Sequence, residues 1–113
     1  MKIINLSNNA VLADKAKVAD TFLSRLIGLL NRKSLENGEA LILKPASSIH
    51  TFFMHFTIDV IFLDKNGRII GILPSIKPFR ISPIYFKSKL VIELPKDTLK
   101  KTQTQLRDMV QII

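Results

Sequence analysis

Residues 60–73 read Val-Ile-Phe-Leu-Asp-Lys-Asn-Gly-Arg-Ile-Ile-Gly-Ile-Leu, two apolar runs on either side of Asn66-Gly67. Both residues of an Asn-Gly pair tolerate positive φ, so the pair is the strongest short signal for a β-hairpin. Each run is apolar at consecutive positions, which is typical of strands in a sheet that is covered on both faces. The stretch predicts a central hairpin with strands at 60–64 and 68–73.

Further strands are predicted on both sides of this hairpin. Apolar runs bounded by turn residues indicate strands at 2–6, 10–13, 39–43, 90–94 and 109–113. The prolines within residues 74–89 predict an irregular loop or edge segment, because proline cannot donate to a central ladder.

Two helical segments are predicted. Apolar residues spaced three and four apart indicate one clear helix over residues 21–30, capped by Asp20 or Thr21. Asp97 or Thr98 begins one or two further helical turns that reach about residue 105. The fold class is therefore mainly β with one clear α-helix, in a compact sandwich-like or partly closed barrel.

Size and composition indicate a single domain over residues 1–113. The chain is 47% hydrophobic and 23% charged, unlike the weakly hydrophobic composition of disordered chains. It has no cysteine, which excludes disulfides, thiolate metal sites and cysteine nucleophiles. No apolar run approaches the roughly 20 residues of a membrane span, and none after Met1 is as long as that of a signal peptide. We expect a soluble, cytoplasmic protein.

The net charge of +8 is unevenly distributed, because residues 65–101 hold nine basic and two acidic residues, a net +7. Such a field attracts anions and polyanions, although a solvated basic surface is the alternative. Within residues 77–89, aromatic rings alternate with cations, as they do in surfaces that stack bases and bind phosphates. The residues of this nucleic-acid interpretation, which ranks second, are Lys77, Arg80, Tyr85, Lys87 and Lys89. A proline-braced loop with buried rings is the competing interpretation.

Residues 48–59, Ser-Ile-His-Thr-Phe-Phe-Met-His-Phe-Thr-Ile-Asp, hold both histidines of the chain. In an extended strand His50 and His55 point to opposite faces, and in a helix they lie roughly 140° apart. Neither geometry lets both rings bind one ion, so we predict no metal site and no cofactor. His55 and Asp59 share a strand face at a separation of about 13 Å, so we assign no catalytic residue.

An enzymatic function is not favoured. The sequence has no Gly-rich phosphate loop and no closely spaced pair of catalytic carboxylates. A hydrolase would have to use His50 or His55 together with Thr51, Asp59 or Asp64.

The chain resembles the domain-of-unknown-function 192 family over roughly residues 20–110. The motifs that carry the resemblance are Arg25-Leu26-Ile27-Gly28-Leu29-Leu30-Asn31-Arg32, Glu39-Ala40-Leu41-Ile42-Leu43, residues 49–64, Asn66-Gly67 and Val91-Ile92-Glu93-Leu94-Pro95. Many members have tryptophan, proline and glycine where this chain has Phe53, Thr57 and Arg107. The resemblance implies a mainly β, sandwich-like domain carrying a helix, and it implies no activity.

The resemblance directs attention to Arg25, a basic residue on an otherwise apolar helix. It must reach water or pair with a carboxylate, so one interpretation is an ion pair with Asp59 or Glu93 that pins helix to sheet. The other is an anchor for an anionic ligand. We predict first a ligand- or partner-binding accessory domain, with a shallow cleft in residues 48–59 for a small anionic ligand or a protein partner. The cleft residues are Arg25, His50, Thr51, Phe53, Met54, His55 and Asp59.

Overall fold

The computed structural model describes residues 1–21, 32–52 and 54–113. The strands are β1 (Ile3–Asn5), β2 (Ala10–Ala13), β3 (Lys15–Ala19), β4 (Glu39–Leu43), β5 (Ile58–Leu63), β6 (Ile69–Ile76), β7 (Leu90–Pro95) and β8 (Val110–Ile112), and helix α1 (Thr98–Lys101) lies between β7 and β8. The mainly β fold class is confirmed. The helix predicted over residues 21–30 lies almost wholly outside the described residues.

The strands form two sheets. The smaller sheet is antiparallel in the order β2-β1-β8. The larger has the order β3-β4-β7-β5-β6, and its β3–β4 pair is parallel whereas the other pairs are antiparallel. Strand β7 is therefore central, with a partner on each side.

The predicted hairpin is confirmed as β5 and β6, but its turn differs from the expected one. Of Asn66 and Gly67, only Gly67 has a positive φ, of 87°. The amide of Gly67 donates to the carbonyl of Asp64 at 3.1 Å, which fits a type I turn followed by a left-handed glycine. A Cβ on Gly67 would lie 2.6 Å from the carbonyl oxygen of Val110, so glycine is required for this close approach.

Both faces of the larger sheet are buried, as its apolar strands predicted. All six residues of β5 are buried. Ile61 and Leu63 pack in a first core shared with the smaller sheet. Val60 and Phe62 pack in a second core on the opposite face.

Strand β3 was not predicted. Three of its five residues are exposed, so it lacks the apolar run by which the other strands were recognised. Its extended form depends on parallel pairing with β4, in which Lys15 lies opposite Glu39 and Ala19 opposite Leu43. Among the described residues, no helix has both the length and the apolar character that crossing a membrane requires.

Candidate functional site

The histidine-containing segment pairs with the proline-rich segment that follows β6. Residues 46–51 and 79–89 form an irregular antiparallel pair, which we call the ribbon. Its backbone hydrogen bonds run from Thr51 to Arg80 at 2.8 Å, from Ser82 to Ile49 at 2.9 Å, from Tyr85 to Ser47 at 2.8 Å and from Ala46 to Lys89 at 3.3 Å. Two stretches that the sequence presented as separate candidate sites therefore form one surface.

The inner side of the ribbon closes the second core. Ile49 is buried there, and the ring of Tyr85 lies 4.3 Å from that of Phe62, measured between centroids. Gly71 admits this ring, because a Cβ on it would come within 2.6 Å of the Tyr85 side chain. The ribbon is thus held by packing as well as by hydrogen bonds.

Thr51 joins the two halves of the site through its hydroxyl group. Its Oγ1 donates to the carbonyl of Lys77 at 2.6 Å and accepts from the amide of Arg80 at 2.9 Å. The residue is fully buried. One side chain of the histidine segment therefore sets the backbone position of two cationic residues 26 and 29 positions later.

A groove of about 390 Å³ lies beside these two cations, and we call it the cation groove. Its lining is mostly apolar and consists of Leu73, Pro74, Ser75, Ile76, Lys77, Arg80, Ile81, Ser82 and Pro83. Within the described ranges the only ion pair is Arg32–Glu39, so neither groove cation is paired with a described carboxylate. The groove offers positive charge beside apolar walls.

Aromatic rings mark one edge of the same surface. His50 lies opposite Ile81 in an antiparallel bridge. Its ring centroid is 5.8 Å from that of Phe52, which is 6.4 Å from that of Phe79. His50 is thus part of the ribbon and lies opposite a residue of the groove wall.

The predicted cleft residues that the structure describes differ in exposure. His50 and His55 are exposed, whereas Thr51 and Met54 are buried. Arg25 and Phe53 lie outside the described residues, so the ion pair predicted for Arg25 is outside them as well.

The extended strand used to compare the directions of His50 and His55 does not form here, because none of the described residues 51, 52 and 54–57 is in a strand. The amide of Met54 donates to the carbonyl of Thr51 at 3.2 Å, so the chain turns here and β5 begins only at Ile58. Strand alternation therefore does not govern where the two histidines point. In the part of the chain that the structure describes, no group of three or more His, Cys, Asp or Glu side chains is arranged to hold a metal ion.

Asp59 is fully engaged in the fold. Its Oδ1 accepts from the amide of Ser75 at 2.8 Å, and its Oδ2 accepts from the amide of Leu99 at 2.9 Å. Leu99 belongs to the first core, whereas Met54 belongs to the second. The carboxylate is therefore on the opposite face of the sheet from Met54.

The residues of the nucleic-acid interpretation are partly accessible. Lys77, Arg80, Lys87 and Lys89 are exposed. Tyr85 is half-buried, because one side of its ring packs against Phe62.

Glu93 was named from the sequence only as a partner for Arg25, yet it is the most unusual polar residue that the structure describes. It is 5% exposed, and its cross-strand neighbours are Leu41 and Val60. Its Oε2 has no hydrogen-bond partner among the described residues. Burial raises the pKa of the carboxyl group to about 7. The sequence signal that could have identified Glu93 was its position as an acidic residue inside the apolar run 90–94.

Comparisons with known proteins give a consistent relationship over nearly the whole chain. The family model of domain of unknown function 192, described as "Uncharacterized ACR", matches residues 3–112. A UPF0127 protein of Pyrococcus horikoshii is 32% identical over 112 residues, which cover 96% of each chain. A UPF0127 protein of Pyrococcus abyssi is 33% identical over 117 residues, with 98% of this chain and 97% of that protein covered.

Two solved structures share the fold. A protein of unknown function from Novosphingobium aromaticivorans superposes with a TM-score of 0.84 at 19% identity, covering 98% of this chain and 82% of the other. A candidate transcription regulator from Sinorhizobium meliloti gives a TM-score of 0.79 at 18% identity, covering 97% of this chain and 89% of the other. At these identities the likeness establishes the fold alone.

Proposed function

Because this chain belongs to the domain-of-unknown-function 192 family, whose description assigns no activity, we propose a function from its own geometry. The protein is a non-enzymatic binding domain that holds a small amphipathic anion in the cation groove. Of the residues predicted for the cleft, Thr51 supports the groove through its hydroxyl bonds to Lys77 and Arg80, and His50 lies opposite Ile81 of the groove wall. A cytoplasmic location is part of the proposal, and fractionation of the source cells tests it.

The observation that carries the proposal is the position of the Thr51 hydroxyl between Lys77 and Arg80. Because the backbones of both cations are held by one buried side chain, anion binding does not have to order this part of the backbone, which lowers the entropic cost of association. Charge-assisted hydrogen bonds from such cations contribute about 1.5–3 kcal/mol each.

The remainder of the groove suits the apolar part of such a ligand. Its volume of about 390 Å³ lies in the range of small-molecule sites, roughly 300–1,000 Å³. Apolar walls that include Leu73, Ile76 and Ile81 would cover a hydrocarbon or ring. The geometry therefore favours a carboxylate or phosphate that carries an apolar group over a fully polar anion.

Octanoate and octan-1-ol are a matched pair of probes, because they share a chain length and differ in charge. Titration of the 15N-labelled protein with octanoate is expected to shift the amide resonances of Lys77, Arg80 and Ser82, whereas octan-1-ol shifts them far less. The double substitution Lys77→Ala/Arg80→Ala is expected to weaken octanoate binding about tenfold or more. Lys96→Ala/Lys100→Ala is the control, because these exposed lysines do not line the groove. Equal responses to the two probes would contradict the proposal.

Two substitutions at Thr51 test the positioning of the cations. Thr51→Ser keeps the hydroxyl group and is expected to keep octanoate affinity. Thr51→Val keeps the shape but removes the hydroxyl bonds to Lys77 and Arg80, and is expected to reduce the affinity. A melting temperature measured for each variant separates this effect from unfolding. Loss of affinity in both variants, with both folded, would show that the hydroxyl does not set the site.

Nucleic-acid binding through Lys77, Arg80, Tyr85, Lys87 and Lys89 is the second proposal. Four of these side chains are exposed cations, which supports phosphate contacts. Tyr85 packs one side of its ring against Phe62, which leaves less of that ring for base stacking.

A further inference from the structure

Residues 79–86 expose large apolar side chains at four positions. The exposed fractions are 59% for Phe79, 69% for Ile81, 58% for Ile84 and 86% for Phe86. Single exposed apolar residues are ordinary on protein surfaces. Four within eight residues of one hydrogen-bonded segment form a local apolar surface of the kind that marks an interaction site.

These side chains lie outside the core, because the inward positions of the segment are Ser82 and Tyr85. Tyr85 packs inward on Phe62, and the flanking Ile84 and Phe86 are exposed. Ser82 is buried and its hydroxyl accepts from the amide of Ile49 at 2.8 Å, while the preceding Ile81 is exposed. We call the exposed apolar side of residues 79–86 the outer face. Because the inner residues are fixed by packing and hydrogen bonds, the outer face is held in place.

Basic residues predominate in the sequence around the outer face. Residues 65–92 contain six basic residues and no acidic residue. Phe86 shares a groove of about 480 Å³ with Lys65, Lys87 and Lys89. Asp64 also lines this groove, but its Oδ1 accepts from the amides of Asn66 and Arg68 at 2.9 and 3.0 Å. The surface is therefore apolar and cationic together.

We infer that the outer face docks on a membrane surface containing anionic phospholipid. Ile84 and Phe86 enter the headgroup region, where apolar side chains leave water. Lys87 and Lys89 lie beside them and meet the lipid phosphates and the negative surface potential. This inference goes beyond the anion site in the cation groove and does not depend on it.

The side-chain chemistry favours lipid over nucleic acid. Base stacking requires free ring faces. Phe79 and Phe86 are exposed rings, but Ile81 and Ile84 are aliphatic and the ring of Tyr85 packs against Phe62. Binding at the membrane interface instead depends on buried apolar area and on attraction of cations to anionic lipids, which aliphatic side chains beside lysines supply. Residues 65–92, which contain basic but no acidic residues, provide positive charge that complements anionic phospholipid.

Co-sedimentation with vesicles tests the inference on the full chain. Vesicles of phosphatidylcholine with about 30% phosphatidylserine are expected to bind the protein, more weakly as salt is raised, and vesicles of phosphatidylcholine alone are expected to bind much less. Ile84→Ser/Phe86→Ser is expected to weaken binding about tenfold. Leu6→Ser/Val11→Ser is the control, because these residues are 48% and 50% exposed and lie outside the ribbon.

Several results of these experiments would overturn the membrane inference, and they can be told apart. Equal binding to both vesicle types, or unchanged binding of Ile84→Ser/Phe86→Ser, overturns the inference. Salt-sensitive binding to oligothymidylate without binding to anionic vesicles also overturns it and assigns the surface to nucleic acid. Octanoate titration of Ile84→Ser/Phe86→Ser separates the two proposals, because the variant is expected to keep the affinity of the cation groove. Circular dichroism confirms that each variant is folded.

Discussion

At the scale of single residues, the carboxyl group of Glu93 is the most costly feature of the larger sheet. It lies in the central strand β7 between Leu41 and Val60, and one oxygen lacks a described hydrogen-bond partner. A carboxylate in such surroundings is disfavoured relative to the neutral acid. Burial accordingly raises its pKa from 4.5 to about 7.

This pKa makes stability depend on pH in a defined window. Below pH 4.5 the carboxyl group is protonated in the folded and the unfolded state, so the free energy of unfolding is at its full value. As pH rises toward 7 the unfolded chain loses the proton first, so the free energy of unfolding falls by about 3 kcal/mol and then levels off. Glu93→Gln is expected to abolish this fall in urea titrations between pH 4 and about 8.

Glu36→Gln is the matched control, because Glu36 is exposed. It is expected to keep the fall in stability across the window. A Glu93→Gln variant with an unchanged pH dependence would show that another group is responsible.

At the scale of elements, Asp59 connects two strands and a helix. Helix α1 has only four residues, and its N-cap residue Asp97 makes no side-chain capping hydrogen bond. The first turn is completed instead by Asp59 of β5, which accepts from the amide of Leu99 and also from Ser75 of β6. A carboxylate can accept from both amides, since both of its oxygens are acceptors.

Asp59→Asn tests this connection. One oxygen becomes an NH₂ group facing a buried backbone donor, so one amide loses its acceptor. The free energy of unfolding is expected to fall by about 1–3 kcal/mol, with faster hydrogen exchange at Leu99 or Ser75. Asp97→Asn is the control, because the Asp97 side chain caps nothing and asparagine tolerates its positive φ of 70°. Equal effects of the two substitutions would contradict the role of Asp59.

At the scale of the whole molecule, strands near the two ends of the chain pair with each other. Strand β1 lies between β2 and β8, and Lys2 and Ile113 exchange backbone hydrogen bonds of 2.8 and 2.9 Å. Ile3 and Val110 both belong to the first core. The smaller sheet and the first core therefore require residues from both ends.

Deletion of residues 109–113 is expected to lower the free energy of unfolding by roughly 3 kcal/mol or more, because it removes the buried Val110 and the hydrogen bonds between β8 and β1. A thermal melt followed by circular dichroism measures the change. Gln111→Ala is the control, since this side chain is exposed in β8. A truncated chain with an unchanged melting temperature would show that β8 contributes little.

Much of the fold was predictable, because its signals are local. The apolar runs of β5, β6 and β7 and the turn at Asn66-Gly67 identify strands through neighbouring residues. The short helix after residue 97 was also predicted, although it spans four residues instead of reaching residue 105. Gln103 adopts a positive φ of 53°, which α-helical residues do not adopt, so the helix ends before it.

The sequence by itself determined a mainly β chain, a central hairpin, a basic second half and the absence of cysteine chemistry. Only the tertiary structure decided that residues 46–51 pair with 79–89, that Thr51 positions Lys77 and Arg80, and that Asp59 serves the fold. The physical reason is the sequence separation between the residues in contact. Strand patterns and turns depend on adjacent residues, whereas these contacts join residues 16 to 43 positions apart, and their partners exist only once the sheets have packed.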